Sequence, residues 1–423
     1  MKRCWIIALA FLSCLVHAEN WPEFRGPTRQ GISTERNLPL AWSADSNIVW
    51  KAAIPGDGWS SPIVWGDRVF VTSASANGAD CHVIALDRKT GQILWNTTAF
   101  TQITRRKESK NSWATPTPIT DGKTIYAVFG GGGVAAVDWS GKVLWTNMEV
   151  EFYSRHGLGS SPILHDGLLI MPYDGSSSRF ESTEKVTDAE RIGWQTPWDK
   201  SIIAALDAKT GKRVWTAKRG MSRIAHVSPL ILEIDGAKQL VSGAGDRVQG
   251  FNLKTGEQIW SLYAQGEGVT PSPVSGEGLL FASSGFEKTT FRAFKLANLK
   301  GDVTETHIAW EQKKGCPTQP SPIYVDGRLF ALTDGGIVTR YNPKTGDVIW
   351  QDRVGGNFSA SPVFADGRIY CLSEAGETIV IESADDFKIL ARSPLNERCQ
   401  ASMAISQNHL FIRGEKNLYC VGQ

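Results

Sequence analysis

The chain lacks an excess of charge of either sign, any closely spaced pair of cysteines and, beyond its first residues, any long hydrophobic run. It holds 45 Lys and Arg against 43 Asp and Glu, and Lys2 and Arg3 account for the whole difference. Without a concentrated positive field a surface cannot track phosphates, which argues against a nucleic-acid groove or a polybasic membrane patch. The one basic run, Arg105-Arg106-Lys107, is followed directly by Glu108 and reads as a solvated loop. Of seven cysteines, Cys4 and Cys14 fall in the first eighteen residues, leaving Cys81, Cys316, Cys371, Cys399 and Cys420. An odd number cannot all pair within one chain. Neither Cys-x-x-Cys nor Cys-x-x-Cys-His occurs, which removes a disulfide framework, a zinc site of that pattern and covalent haem. A single bridge between Cys316 and Cys399 stays open.

The one long apolar run, residues 6–16, follows Lys2 and Arg3 and ends in Val16-His17-Ala18 before the polar Glu19. It is too short to span a bilayer, so residues 1–18 are expected to be a cleaved secretory signal. The mature chain, residues 19–423, is then exported to the periplasm or beyond. Lipid attachment at Cys14 is the competing reading, and bulky Leu12 before Ser13 counts against it.

What is present in quantity is tryptophan in register. Trp50, Trp95, Trp145, Trp215, Trp260, Trp310 and Trp350 each end a similar unit. Its clearest copy runs Ser61-Pro62-Ile63-Val64, Gly66-Asp67, Arg68-Val69-Phe70-Val71, Val83-Ile84-Ala85-Leu86-Asp87, Lys89-Thr90-Gly91 and Gln92-Ile93-Leu94-Trp95. Short β-branched segments punctuated by Gly-Asp or Asp-Gly pairs read as four strands joined by hairpins. Lys-Thr-Gly recurs at 209–211, 254–256 and 344–346, its glycine serving a left-handed turn. Ser-Pro opens the first strand at Ser161, Ser228, Ser272, Ser321 and Ser361, with Thr117-Pro118 or Thr115-Pro116 doing so in the second unit.

A lone four-stranded sheet cannot bury both faces, but sheets set radially bury each other's. The tryptophans then fill the gaps between blades. Counting first strands gives an all-β, eight-bladed propeller of four-stranded antiparallel blades. The eighth, opening at Ser402, has three strands before the chain ends. Ile48-Val49-Trp50-Lys51 has the pattern of an outer strand with no blade before it, so the N-terminal strand is expected to pair with the last blade and close the ring.

Residues 85–95 and 205–215 resemble the tryptophan-docking motif of the pyrroloquinoline-quinone (PQQ)-like propellers, and residues 251–260 and 341–350 are degenerate copies. Trp21-Pro22-Glu23-Phe24-Arg25-Gly26-Pro27 is similar to the opening of bacterial secreted PQQ-like or BamB-like proteins. The resemblance spans essentially the whole mature chain and implies one of two activities. The first is a non-catalytic binding or assembly scaffold, BamB-like and without a cofactor, whose partner is a protein or peptide. The second is a PQQ- and calcium-dependent oxidoreductase of alcohols or sugars, in which Trp113 would stack on the quinone and Arg155 or Arg398 would meet its carboxylates. Most blades are minimal, no two cysteines are adjacent, and no motif supplies a calcium set of Glu, Asn and Asp, which favours the scaffold. A polysaccharide-binding or -cleaving propeller is the third reading.

Function is expected where the loops leading into the first strands gather around one mouth of the channel. The residues there are Trp59, Trp113, His156, His226, Gln319, Phe358 and Arg398, with Arg155 alongside. Aromatic and polar groups converging on a concavity suit binding; the competing expectation is a polar mouth holding only water. Long additions at residues 97–112, 146–159 and 173–200 fall on the same side. The last carries Arg179, Phe180, Arg191, Trp194, Gln195 and Trp198, a mix suited to recognition. No residue is assigned to catalysis or to a metal. Residues 295–307 are expected to be a tolerated insertion on the opposite face.

Overall fold

The computed structural model describes residues 19–104, 107–154, 156–175, 199–220, 222–263, 266, 268–286 and 289–422. Among them there is no helix, and the strands fall into eight sheets whose core is four antiparallel strands. Blade one runs outward from the axis as Ile63–Trp65, Arg68–Ala74, Asp80–Asp87 and Ile93–Thr101. The inner strands of blades two to seven are Ile119–Thr120, Ile163–His165, Leu230–Ile234, Val274–Gly276, Ile323–Val325 and Val363–Ala365. Blade eight comprises Ala404–Ser406, His409–Arg413 and Asn417–Val421, completed by Ile48–Ala53. There Ala52 lies opposite Leu418 and Lys51 opposite Tyr419, so the beginning of the chain closes the ring as the repeat count requires.

The inner hairpins owe their tightness to residues that accept positive φ. Asp166 and Gly167, Asp326 and Gly327, and Asp366 and Gly367 are all left-handed, the geometry of a two-residue turn that matches strand twist. At the outer edge each blade carries the same irregularity: the register slips one residue before the docking position, as between Ala85 and Leu86 opposite Trp95 and Ile93. The skipped residue, Leu94, is left facing solvent, and so are Val49, Leu144, Val214 and Ile349 at equivalent places. The bulge turns the following tryptophan toward the neighbouring blade.

That neighbour meets it with its glycine turn, Lys-Thr-Gly in four blades and Trp139-Ser140-Gly141 in blade two. A Cβ on Gly91 would lie 2.6 Å from the ring of Trp50, one on Gly141 2.9 Å from Trp95, and one on Gly346 2.6 Å from Trp310; Gly211 and Gly256 abut Trp145 and Trp215 in the same way. The indole N–H then donates to a carbonyl of the same turn: Trp50 to Arg88 at 2.8 Å, Trp95 to Trp139 at 3.1 Å, Trp145 to Ala208 at 3.0 Å, Trp215 to Leu253 at 3.1 Å and Trp310 to Pro343 at 2.8 Å. The glycine is therefore needed twice, for its φ and for the indole lying over it.

Three joints depart from this rule, the one between blades seven and eight because Ala391 stands at the docking position of the outer strand Ile389–Pro394. Between blades four and five the turn is replaced by residues 295–307, which are more than a tolerated insertion. Gly301–Asp302 pairs in parallel with the outer strand Gln258–Tyr263, giving blade four a fifth strand, and Leu299 and Val303 cover Trp260. Deprived of a turn carbonyl, Trp260 donates to Gln239 Oε1 of its own blade at 2.9 Å. Between blades six and seven Phe387 packs on Trp350 at 5.2 Å in place of a glycine. All five cysteines of the described chain are buried and free, so Cys316 and Cys399 form no bridge. Residues 97–101, expected in a loop, continue the outer strand of blade one.

Candidate binding site

The Ser-Pro repeat builds the neck of the channel. The amide of each repeat serine donates to the hydroxyl of the next blade's: Ser61 to Thr117 at 3.0 Å, Thr117 to Ser161 at 3.0 Å, Ser161 to Ser228 at 2.9 Å, Ser228 to Ser272 at 3.1 Å, Ser272 to Ser321 at 2.9 Å, Ser321 to Ser361 at 3.0 Å and Ser361 to Ser402 at 2.9 Å. Proline follows because its nitrogen has no proton left to satisfy at the crowded neck. Of the two candidate positions in blade two, Thr117 is the one in this collar.

Below the collar the residues after Ala18 cross the underside of the ring. Trp21 pairs with Val64, the Thr120 amide donates to the Pro22 carbonyl at 3.0 Å, Ser275 to Gln30 Oε1 at 2.7 Å, Ser33 to the Phe364 carbonyl at 2.9 Å, and Ser406 Oγ to the Glu19 carbonyl at 2.6 Å. Arg25 is 1 % exposed and rises into the channel, donating to the carbonyls of Gln30 and Pro322, both at 2.6 Å. Burial alone pulls its guanidinium down to about 9. Glu23 beside it, held at 2.7 Å by Arg29, is pushed up by burial to about 7 against the pull of that arginine. Phe24 faces upward and floors a cavity of about 600 Å3 that opens at the mouth.

The walls above the collar come from the loops expected to carry function, with a changed cast. Trp59, His156, His226 and Gln319 line the cavity. Arg398 sits on its rim, its guanidinium 5.4 Å over the Trp59 ring and 3.4 Å from Glu415. Trp113 does not reach the well: it packs beneath Gly78 and Gly130, and its carbonyl accepts the Gly130 amide, in the core between blades one and two. Phe358 is 0 % exposed within the core of blades six and seven, and the next residue, Ser359, takes its place in the wall. Arg155, Arg179, Phe180, Arg191, Trp194, Gln195 and Trp198 lie outside the described residues, as do residues 1–18 with Cys14. Sequence reasoning missed Phe24, Lys110, Asn111, Phe286 and the collar. The collar had a signal in the Ser-Pro repeat, read as a strand start, and Lys110 and Asn111 lie in the long addition 97–112 without being singled out.

The polar groups of the wall are largely engaged with one another. Glu374 accepts from Lys110 Nζ at 2.8 Å and from Ser359 Oγ at 2.6 Å, and the Gln319 side-chain amide lies 2.8 Å from the same hydroxyl. Partial burial works against ionisation of Glu374, but these bonds hold it below the ordinary carboxylate value. Asn111 Nδ2 donates to the His156 carbonyl at 2.7 Å, and the His156 and His226 rings meet edge to face at 6.0 Å. Burial, helped by His156, drives His226 down to about 3, so it stays neutral through the physiological range, and its Nδ1 has no partner. The loop bearing His226 is anchored by two buried ion pairs, Arg219 to Asp174 at 2.8 Å and Arg223 to Asp246 at 2.9 Å.

The chain matches the family described as outer membrane protein assembly factor BamB over residues 29–151, 186–300 and 302–386. It belongs to that family of PQQ-like propellers. It is 27% identical over 220 residues to the BamB of Burkholderia pseudomallei, covering 51% of this chain and 45% of that protein. To a polyvinylalcohol dehydrogenase of a Pseudomonas species it is 28% identical over 172 residues, 40% of this chain and 24% of that one. The chain thus spans less than half the length of these curated relatives. Among solved structures, BamB from Moraxella catarrhalis superposes with a TM-score of 0.58 at 16% identity, covering 89% of this chain and 97% of that one. The quinohemoprotein alcohol dehydrogenase of Comamonas testosteroni gives 0.65 at 12%, covering 96% and 81%. These likenesses establish the fold.

The dehydrogenase likeness implies a quinone with calcium, and the described residues offer no set of carboxylates for the calcium. Calcium takes six to eight oxygen ligands, several of them carboxylates. No group of three His, Cys, Asp or Glu converges among the described residues, and Glu374 is already taken by Lys110 and Ser359.

Proposed function

We propose that this chain is a binding propeller without chemistry of its own, a BamB-like scaffold that works outside the cytoplasm and meets a protein or peptide partner at its mouth face. One observation carries the reading: the wall's polar side chains are tied to each other in fixed positions, Glu374 through Lys110 and Ser359. A general acid or base needs a pKa near the working pH and freedom to meet a substrate proton. His226 and Glu374 are both shifted downward, which leaves the imidazole neutral and the carboxylate charged at the working pH. Prealigned, mutually bonded groups with aromatic faces between them are what recognition needs.

The rival is the quinone-dependent oxidoreductase. Purified protein incubated with PQQ and calcium, separated from free quinone and assayed for absorbance and for dye-linked oxidation of alcohols and sugars decides between them. The scaffold reading expects neither retained quinone nor dye reduction. Stoichiometric quinone with turnover would overturn it.

A further inference from the structure

We infer that the well takes a short, uncharged oligosaccharide, held between the aromatic rings of Trp59 and Phe286. This rests on the reading of the chain as a non-catalytic binding propeller and concerns the well alone, the protein or peptide partner meeting the loops around it.

Three features of the well point there. The first is the placing of its aromatic rings. Trp59 leads into blade one and Phe286 lies on the loop between the second and third strands of blade five. In a ring of eight those blades face each other, so the two rings enter the cavity from opposite sides. Phe286 is 40% exposed, a cost for a large aromatic side chain that a flat apolar ligand face would recover. One face of Trp59 is already covered by Arg398.

The second feature is a lining mostly of hydroxyls and amides, in which the charged side chains are one cation, Lys110, and one carboxylate, Glu108. Lys110 is paired with Glu374 and Arg398 with Glu415. The uncompensated cation nearby, Arg25, lies sealed beneath the floor and is not part of the lining. Seven of the eight collar hydroxyls, from Thr117 round to Ser402, spend a lone pair on a backbone amide and keep hydrogen-bonding capacity for another group. The Gln319 side-chain amide, 2.8 Å from Ser359 Oγ, offers both a donor and an acceptor at the wall. Neutral donors and acceptors around a cavity of about 600 Å3 complement a ligand studded with hydroxyls better than an ion.

The third feature separates a sugar from a peptide. Peptides that bind by strand addition need a row of unpaired backbone groups. Here those donors are spent: the collar amides on the next blade's hydroxyls, Trp59 and Ser60 on the Ala114 carbonyl at 3.1 and 3.0 Å, and His226 on Val269 at 2.7 Å. Recognition falls to side chains.

The test is calorimetric titration of residues 19–423 with cellotetraose, maltotetraose, xylotetraose and chitotetraose, with tetragalacturonate as the acidic arm and an uncharged hexapeptide as the peptide arm. Trp59→Ala, Trp59→Phe and Phe286→Ala are compared with Tyr263→Ala, on the outer edge of blade four, and circular dichroism confirms that each folds. We expect at least one neutral tetrasaccharide to bind, tenfold or more weaker in Trp59→Ala and Phe286→Ala, largely restored in Trp59→Phe and unchanged in Tyr263→Ala. Failure of all four neutral sugars, binding indifferent to both aromatic variants, or preference for tetragalacturonate would overturn the inference. Hexapeptide binding lost in Trp59→Ala would also overturn it while leaving the binding mouth intact, whereas quinone-dependent turnover would remove the binding reading itself.

Discussion

At the scale of single residues, the tryptophans and the turn glycines form one device. Each is uninformative alone, because a buried indole and a left-handed glycine occur in many folds. Their contact across the blade boundary explains why both recur at the same interval. Trp310→Ala should cost about 3–5 kcal/mol by leaving a cavity between blades five and six, read as a fall in denaturation midpoint. Gly346→Ala should cost about 1–2 kcal/mol from backbone strain at positive φ, and more if Trp310 is displaced. The two losses should fall short of additive when combined, since both break the same contact. A histidine makes a separate prediction. His226 is neutral when folded and protonates freely when unfolded, so below about pH 6.5 the unfolded chain binds the extra proton. Stability should therefore drop as pH falls from about 6.5 toward 3, by at most about 1.4 kcal/mol per pH unit, and His226→Gln should flatten that slope in thermal melts.

Among the elements, the loops differ in what holds them. The segment bearing His226 is pinned by Arg219 on Asp174 and Arg223 on Asp246, with Ser242 Oγ also accepting from Arg219 at 2.7 Å. Burial pushes the Asp174 carboxyl upward and Arg219 holds it down. Asp174→Asn strands a buried guanidinium, at about 3–5 kcal/mol, and should loosen the mouth as well as lower the midpoint. Hydrogen exchange at residues 222–227 would show this. Legibility in the sequence divides along the same line. The strands, hairpins and blade count could be read because each blade repeats the same local chemistry, and periodicity averages out the noise of any one copy. The mouth could be read only as a neighbourhood. Trp113 and Phe358 precede inner strands as Trp59 does, yet they stand four and three residues before the collar position where Trp59 stands two, and both turn into the core. Glycines 78 and 130 make the slot for Trp113, and neither stands near it in the chain. The fifth strand of blade four was hidden for a related reason: two residues pairing in parallel carry no pattern of their own.

At the scale of the whole molecule, the N-terminal residues do two jobs that the repeat cannot. Residues 19–35 seal the channel from below and turn a tube into a well, and residues 48–53 supply the last strand. Glu23 ties the first job to pH. Its carboxyl is raised to about 7 from an unfolded value near 4.5, so the folded chain holds the extra proton between those limits and stability is lost as pH rises through about 7. Glu23→Gln should remove the loss of stability on raising pH from about 4.5 to about 7, opposite in sign to the slope from His226. The ring itself rests on Trp50 docking over Gly91 and on Ala52 facing Leu418. Without them blade eight keeps three strands and exposes an edge. Thermal unfolding of residues 54–423 beside residues 19–423 tests this most directly. A closed ring predicts that the shortened chain loses the cooperative transition or melts far lower, while an unchanged midpoint and an unchanged β-sheet spectrum would contradict the account.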